Sequence, residues 1–182
     1  MNTISSFTRS TFLTFLLSLF FMNSLIAQTI DDRGYIVKIG DQAPDFSTTT
    51  TDGKKFDLKD TKGKVVMLQF TASWCGVCRK EMPLIETEIW QAHKNKGLVV
   101  VGIDLKEPLE TIKQFRQQTG VTYPLLLDID GEIFEKYADK EAGVTRNVLI
   151  DRNGKIIFMT RLYNEIEFKK LVNKIAEELD KN

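Results

Sequence analysis

The sequence predicts an α/β domain, a central β-sheet covered by helices on both faces. Three observations carry this. Short apolar, β-prone runs ("VVMLQFTA", "LVVVGIDL") alternate with segments of helical periodicity; a strand–turn–strand pattern follows; an amphipathic segment closes the chain. At 182 residues, 42% hydrophobic and 27% charged, the chain has the size of one domain with a tail. Twenty-five acidic residues balance 25 basic ones, so no charge excess points to a nucleic-acid partner.

The tail comes first. "MNTISSFTRS" carries one charge, Arg9, and no acid; "TFLTFLLSLFFM" is apolar; "NSLIAQTIDDRG" turns polar. This order reads as a cleavable export signal over residues 1–27, cut after Ala27. The apolar run falls short of the roughly 20 residues that a spanning helix needs. The expected location is the periplasm or another exported compartment, with a membrane anchor as the alternative if the signal stays uncleaved.

Residues 36–180 form one domain without repeat or linker. "GDQAPDFSTTTTDGKKFDLKDTKGK" alternates extended pieces with turns at Asp52-Gly53 and Lys62-Gly63. "VVMLQFTA" is apolar without alternation, as a buried central strand should be. Cys78, Met82, Ile85 and Ile89 then recur at helical spacing, with Pro83 as a kink and Lys96-Gly97 as the stop. "LVVVGIDL" is a second buried strand, and "PLETIKQFRQQTG" a helix between Pro108 and Gly120. "YPLLLD" is extended and "GEIFEKYA" makes one or two helical turns. "NVLIDRNGKIIFMTRL" is a hairpin about Asn153-Gly154. Asn164 caps the last helix, Glu167 completes a capping box, and Phe168, Leu171, Val172, Ile175 and Leu179 share one face.

The only two cysteines, Cys75 and Cys78, stand in "TASWCGVCRKEMP". A structural disulfide, half a metal site and a redox pair compete. A bridge closing so short a loop removes little unfolded-chain entropy. Structural zinc needs four ligands, and the single histidine, His93, lies about four helical turns beyond Cys78. No metal is expected. The redox reading fits best. Cys75 falls where a buried strand meets a helix, so free N–H groups and the helix dipole favour its thiolate. Cys78 lies one turn further in, shielded. Gly76 permits the tight turn, and Trp74 offers an aromatic wall.

"FTASWCGVCRKEMP" resembles the active-site segment of the thioredoxin superfamily, especially its exported TlpA/ResA-like branch, with the redoxins of AhpC/TSA type as relatives. "GDQAPDF" and "DGKKFDLKDTKGKVVML" resemble the family's N-terminal hairpin and first long strand; "LVVVGIDLKE" and "NVLIDRNGKI" resemble later strands. The likeness spans residues 38–180. It implies a thioredoxin-like fold: a central mixed β-sheet, helices on both faces, and an extra N-terminal β-hairpin. It also implies a cofactor-free thiol-disulfide oxidoreductase, a monomer that reduces protein disulfides and is recharged by an electron-donating thiol protein. By the same resemblance Cys75 attacks and Cys78 resolves, the two cycling through a Cys75–Cys78 disulfide. Glu107 matches an acid that assists proton movement at the buried thiol; a helix N-terminal acid is its bland alternative.

Two departures matter. Gly-Val separates the cysteines where Gly-Pro is usual, and "VTRN" holds no proline. The family places a cis-proline facing the pair, where Thr145 stands here. A non-proline cis bond costs about 2.5–4 kcal/mol, so a trans Val144–Thr145 bond is expected. Thr145 and Arg146 should then border the pair as substrate contacts beside Trp74, with Arg146 holding the Cys75 thiolate or an acidic substrate group. A thiol peroxidase-like redoxin acting on hydroperoxides stays open as an alternative function. So does a non-catalytic binding module of the same fold. Trp90, His93 and Asp104 read as packing, exposed-helix and turn residues.

Overall fold

A computed structural model describes residues 33–181; the stretch assigned to an export signal, residues 1–27, lies outside them. A small antiparallel hairpin comes first, β1 (Ser47–Thr49) and β2 (Lys55–Asp57), turning at Asp52-Gly53 as the sequence indicates. The main sheet holds β3 (Val65–Thr71), β4 (Leu98–Leu105), β5 (Leu125–Asp128), β6 (Arg146–Ile150) and β7 (Ile156–Arg161). Its order is β5-β4-β3-β6-β7. β3 pairs in parallel with β4 and antiparallel with β6, so the sheet is mixed. All seven residues of β3 are buried, as an uninterrupted apolar run in a central strand requires.

Helices flank the sheet on both faces, unequally. One face carries α1 (Gly76–Leu84), α2 (Leu109–Thr119) and α3 (Glu165–Leu179). The other carries 3₁₀ turns at Leu58–Thr61 and Phe134–Lys136, with the aromatics Phe46, Phe70, Phe134 and Tyr137 packed ring against ring. The period-2 alternation of strands divides β3 between these faces. Phe70 joins the aromatic side, while Gln69 and Thr71 point under α1: Thr71 Oγ1 donates to the Met82 sulfur.

The expected kink at Pro83 is a change of helix type. α1 passes into a π-helical segment, Ile85–Trp90, where Gln91 N–H reaches back five residues to the Glu86 carbonyl. Proline brings no N–H of its own, and the wider ladder is one of the few ways to continue past it. The helical run ends at Gly97 in the left-handed region, φ 86°. The β6–β7 turn also differs from the tightest hairpin. Gly154 alone takes positive φ, and Asp151 pairs with Lys155 across three residues, the type I turn plus left-handed residue arrangement. Asp151 Oδ1 accepts the N–H groups of Asn153 and Lys155, which fixes the wider loop.

α3 shows the expected apolar face: Phe168, Leu171 and Ile175 are buried, and Val172 and Leu179 pack at its margin. Asn164 Oδ1 accepts the Glu167 N–H at 3.1 Å, satisfying one of the first-turn donors. Asn164→Ala should therefore lower unfolding free energy by about 1 kcal/mol. A denaturant midpoint that does not move, at unchanged slope, would show that this cap contributes nothing.

Candidate active site

β3 ends at Thr71 and the chain turns through Ala72–Trp74 into α1, so Cys75 becomes the N-cap of that helix. Its sulfur accepts the Cys78 N–H at 3.2 Å, one of the donors that a helix start leaves unpaired. Both thiols are free, which is the dithiol form of the expected disulfide couple. Cys78 is fully buried and Cys75 retains 8% exposure, so the pair is asymmetric but more enclosed than a solvent-facing nucleophile. The shielding comes partly from Thr145. Its hydroxyl lies 3.0 Å from the Cys75 sulfur and 3.3 Å from that of Cys78, touching both.

These contacts push the two thiols apart in acidity. The Cys78 thiol donating to the Cys75 sulfur, with help from Thr145 and the Cys78 and Val77 N–H groups, brings Cys75 down to about 5. The same interaction, together with burial, drives Cys78 far above the ordinary thiol range. One thiolate at neutral pH and one retained proton is the division that thiol–disulfide exchange uses.

The Val144–Thr145 bond is trans, as is every peptide bond among the described residues. Thr145 reaches the pair; Arg146 does not. In β6, Phe70 faces Arg146 and Gln69 faces Asn147. Neighbouring residues of a strand point to opposite faces, so once Thr145 points at the sulfurs Arg146 must point away. Its guanidinium lies over the Tyr35 ring at 4.5 Å and its Nε donates to the Gly143 carbonyl, on the aromatic side. The expected contact of Arg146 with the Cys75 thiolate is thereby corrected.

Glu107 meets the cysteine loop at Ser73. Oε2 accepts the Ser73 N–H at 2.6 Å and Oε1 accepts its hydroxyl at 2.5 Å, two residues before Cys75. The residue thus anchors the loop that carries Cys75. Asp104 is no turn residue but a fully buried carboxyl at the end of β4. Burial and the neighbouring Glu107 carboxylate raise it to about 8. Trp74, beside Cys75 in the chain, is 66% exposed.

The sequence reading passed over Glu81. It is 1% exposed, one helical turn beyond Cys78 on the same face, and accepts a hydrogen bond from Asn147 Nδ2 at 2.8 Å. Burial raises it to about 7; Asn147 and Gln69 favour its ionised form, and the Cys75 charge opposes it. Cys78 meets Thr145, the residue just before β6, and Glu81 meets β6 at Asn147, two residues on. Two polar groups therefore lie under α1, Thr145 against the sulfurs and Asn147 against Glu81. A signal did exist in the sequence: position 81 falls on the stripe made by Cys78, Met82, Ile85 and Ile89, where a carboxylate is out of place.

The redoxin family model matches residues 38–175. The thiol-disulfide oxidoreductase ResA of Bacillus thuringiensis subsp. konkukian is 38% identical over 130 residues, 69% of this chain and 73% of its own. A solution structure from Bacteroides thetaiotaomicron, provisionally described as a protein disulfide isomerase, shares 62% identity. Its TM-score is 0.79, over 81% of this chain and 94% of that one. A Chlorobium tepidum structure provisionally described as thiol:disulfide interchange protein DsbE is 29% identical, with a TM-score of 0.68 over 79% of this chain and 99% of that one.

Thr145→Val keeps the shape and removes the hydroxyl, so the Cys75 thiolate should lose a donor and its pKa should rise from about 5 by roughly one unit, the scale of one charge-assisted bond. The check is the pH dependence of thiolate absorbance or of alkylation. An unmoved midpoint would remove Thr145 from the chemistry.

Proposed function

The chain belongs to the redoxin family and has a thioredoxin-like fold, and from that premise we propose that it reduces disulfides of other proteins through the Cys75/Cys78 dithiol. The observation that carries the reading is the division of the pair: an acidic Cys75 sulfur at the helix N-cap, with a fully buried, proton-retaining Cys78 behind it. The Cys75 thiolate attacks one sulfur of the substrate disulfide, a Cys75–substrate bond forms, and the other substrate sulfur leaves as a thiolate that water protonates. Cys78 then gives up its proton and attacks the Cys75 sulfur, releasing the second substrate thiol. Two electrons pass to the substrate, and the protein ends as the Cys75–Cys78 disulfide. An electron-donating thiol protein reverses that oxidation, and no cofactor takes part.

Glu81 is the group suited to take the Cys78 proton. It is held near neutrality in acidity, on the same face of α1, and it becomes a base as pH rises through about 7. Glu107 keeps Ser73, and so the nucleophile's loop, in place, and Trp74 supplies the contact surface at the rim. Residues 1–27 are the proposed export signal, and residues 36–180 the working domain, outside the cytoplasm. Support comes from the basic, apolar and polar order of that stretch. Among the described residues no helix is long and apolar enough to cross a membrane.

The roles are separable by trapping. Cys78→Ser should accumulate mixed disulfides through Cys75, and Cys75→Ser should accumulate few; equal trapping would sink the assignment. Glu81→Gln should slow release of the second substrate thiol and abolish the rate increase centred near pH 7, while alkylation of Cys75 stays fast. Insulin reduction with no consumption of hydroperoxide is the activity expected, and the opposite pair of results favours a peroxidase. N-terminal sequencing of protein from its native host should begin near Gln28; retained Met1 would refute cleavage.

A further inference from the structure

One glycine interrupts the centre of the sheet. Gly102 stands in the middle of β4, a largely buried strand that has a side chain at every other position. Glycine inside a strand weakens it and marks a place where another group comes close. A Cβ here would meet Leu125 Cδ2 at 2.5 Å, Tyr123 Cε2 at 3.4 Å and Gln69 Oε1 at 3.8 Å. Gln69 is the direct partner of Gly102 in β3, and Tyr123 arrives from the segment between α2 and β5. In the room that the glycine leaves, the Tyr123 hydroxyl donates to Gln69 Oε1 at 2.7 Å.

That bond decides how the Gln69 amide is turned. Gln69 and Tyr123 are both fully buried, and burial, with Glu81, Glu86 and Cys78 nearby, holds the phenol well above its ordinary range. Tyr123 is therefore a donor at every working pH, and a donor selects the amide oxygen. The nitrogen, Nε2, is left for another acceptor. Asn147, the β6 partner of Gln69, gives its own Nδ2 to Glu81 Oε1 at 2.8 Å, and Gln69 too favours the ionised form of Glu81. Among the described residues Glu81 Oε2, Asn147 Oδ1 and Gln69 Nε2 are buried without a hydrogen-bond partner. These are two acceptors and one nitrogen with two hydrogens, a matching set. The titratable groups around them are Cys75 and Cys78 at the start of α1, Glu86 beyond it, and Tyr123; β3, β6 and β7 present the uncharged Gln69, Asn147 and Thr160.

We propose that Gln69 is a positioning residue for the proton transfer: its amide, turned by Tyr123, gives Nε2 to Glu81 Oε2 and so holds Glu81 as the carboxylate that takes the Cys78 proton. The inference rests on the reading of Glu81 as that acceptor and extends it to two residues outside the cysteine segment. Its consequence is one of acidity. Burial pushes the Glu81 carboxyl toward its protonated form, and a protonated carboxyl cannot receive a proton. Amide donors on both oxygens oppose that push and keep the base available near neutral pH. Gly102 then belongs to the same device, because a side chain there would displace the groups that turn the amide.

The test mixes prereduced protein with excess dithiobis(nitrobenzoate), an aromatic disulfide whose thiolates absorb as they leave. Attack by Cys75 releases the first thiolate and forms a Cys75–aryl disulfide, at a rate that scales with reagent. Cys78 then passes its proton to Glu81 and attacks the Cys75 sulfur, releasing the second thiolate at a rate that does not. In the wild type this second step should rise with pH to a midpoint near 7. Gln69→Leu should raise the midpoint by about one unit, the scale of one hydrogen bond to a charged group, and slow the step about tenfold below both midpoints. The first step, which reports Cys75, should keep its own pH dependence. Tyr123→Phe should move the midpoint the same way by about half a unit, and should add nothing in the Gln69→Leu background. An unmoved midpoint in Gln69→Leu overturns the inference. So does a Tyr123→Phe shift that is absent, or that is as large without Gln69 as with it. Tyr123→Phe removes a single oxygen and decides the matter alone if Gln69→Leu folds poorly. A second step whose pH rise survives Glu81→Gln would instead strike the reading of Glu81 as the proton acceptor.

Discussion

The Cys75 sulfur caps a helix, and most of the structure is arranged so that it can. A capping side chain needs a strand that ends in the right place, a turn without strain and a helix whose first N–H groups point at one atom. The fully buried β3 supplies the first, the Ser73–Glu107 clamp and Gly76 the second, and α1 the third. Serine, threonine, asparagine and aspartate usually fill that position because their oxygens accept strongly. A thiol accepts poorly and a thiolate well, so the cap is complete only when the proton has left. The helix start therefore works as a standing preference for the charged sulfur.

Behind that charge lies a polar layer inside an apolar core. Gln69, Tyr123, Glu81, Asn147 and Thr160 occupy adjoining positions under α1, with Tyr123 donating to Gln69 Oε1 at 2.7 Å and Asn147 bridging Glu81 and Thr160. Burying these groups costs free energy that a row of leucines would not. They persist in pairs, and the carboxyl of Glu81 avoids the full penalty by holding its proton up to about pH 7. The stability consequence has a definite sign. A carboxyl raised by burial opposes folding increasingly as pH rises from its unfolded pKa to its folded one, here between 4.5 and about 7. In the dithiol form the depressed Cys75 acts oppositely, adding stability as pH rises from about 5 toward 9.

The sequence made the fold legible wherever periodicity was clean: the buried β3 and β4, the capped α3, and the strand–helix junction at Cys75. It was less informative where pairing decides. "VTRN" shows a missing proline, but whether Thr145 or Arg146 faces the sulfurs depends on the parity of β6, fixed by the Gln69–Asn147 pairing with β3. Thr145 leads directly into β6, and neighbours along an extended backbone point to opposite faces, a constraint that was available before the register was. Glu81 was hidden for another reason. "CRKEMP" looks like a solvated charge cluster, and only its placement on the Cys78–Ile89 stripe shows that one of those charges goes inward. Asp104 lies within the strand that the sequence marks, and its full burial appears only once β4 is paired on both sides.

Thr145 ties these threads together through a trade-off that proline could not enter. Its hydroxyl reaches both sulfurs and can donate to the Cys75 thiolate, beside the Cys78 thiol that donates to the same sulfur. The donated bond raises the thiolate fraction and so speeds attack. It also stabilises the dithiol relative to the disulfide, which makes the couple more oxidising; in a two-electron couple about 1.4 kcal/mol corresponds to about 30 mV. Speed of attack is thus gained against driving force. Cys78 bears on the rate rather than on that balance. In the proposed exchange the Cys75 charge that helps hold the Cys78 proton disappears once Cys75 is bonded to substrate, and burial is what still opposes ionisation of Cys78. The proposed exchange thus couples electron transfer to the departure of that proton, and Glu81, one turn along the same helix face, is the buried carboxylate proposed to receive it.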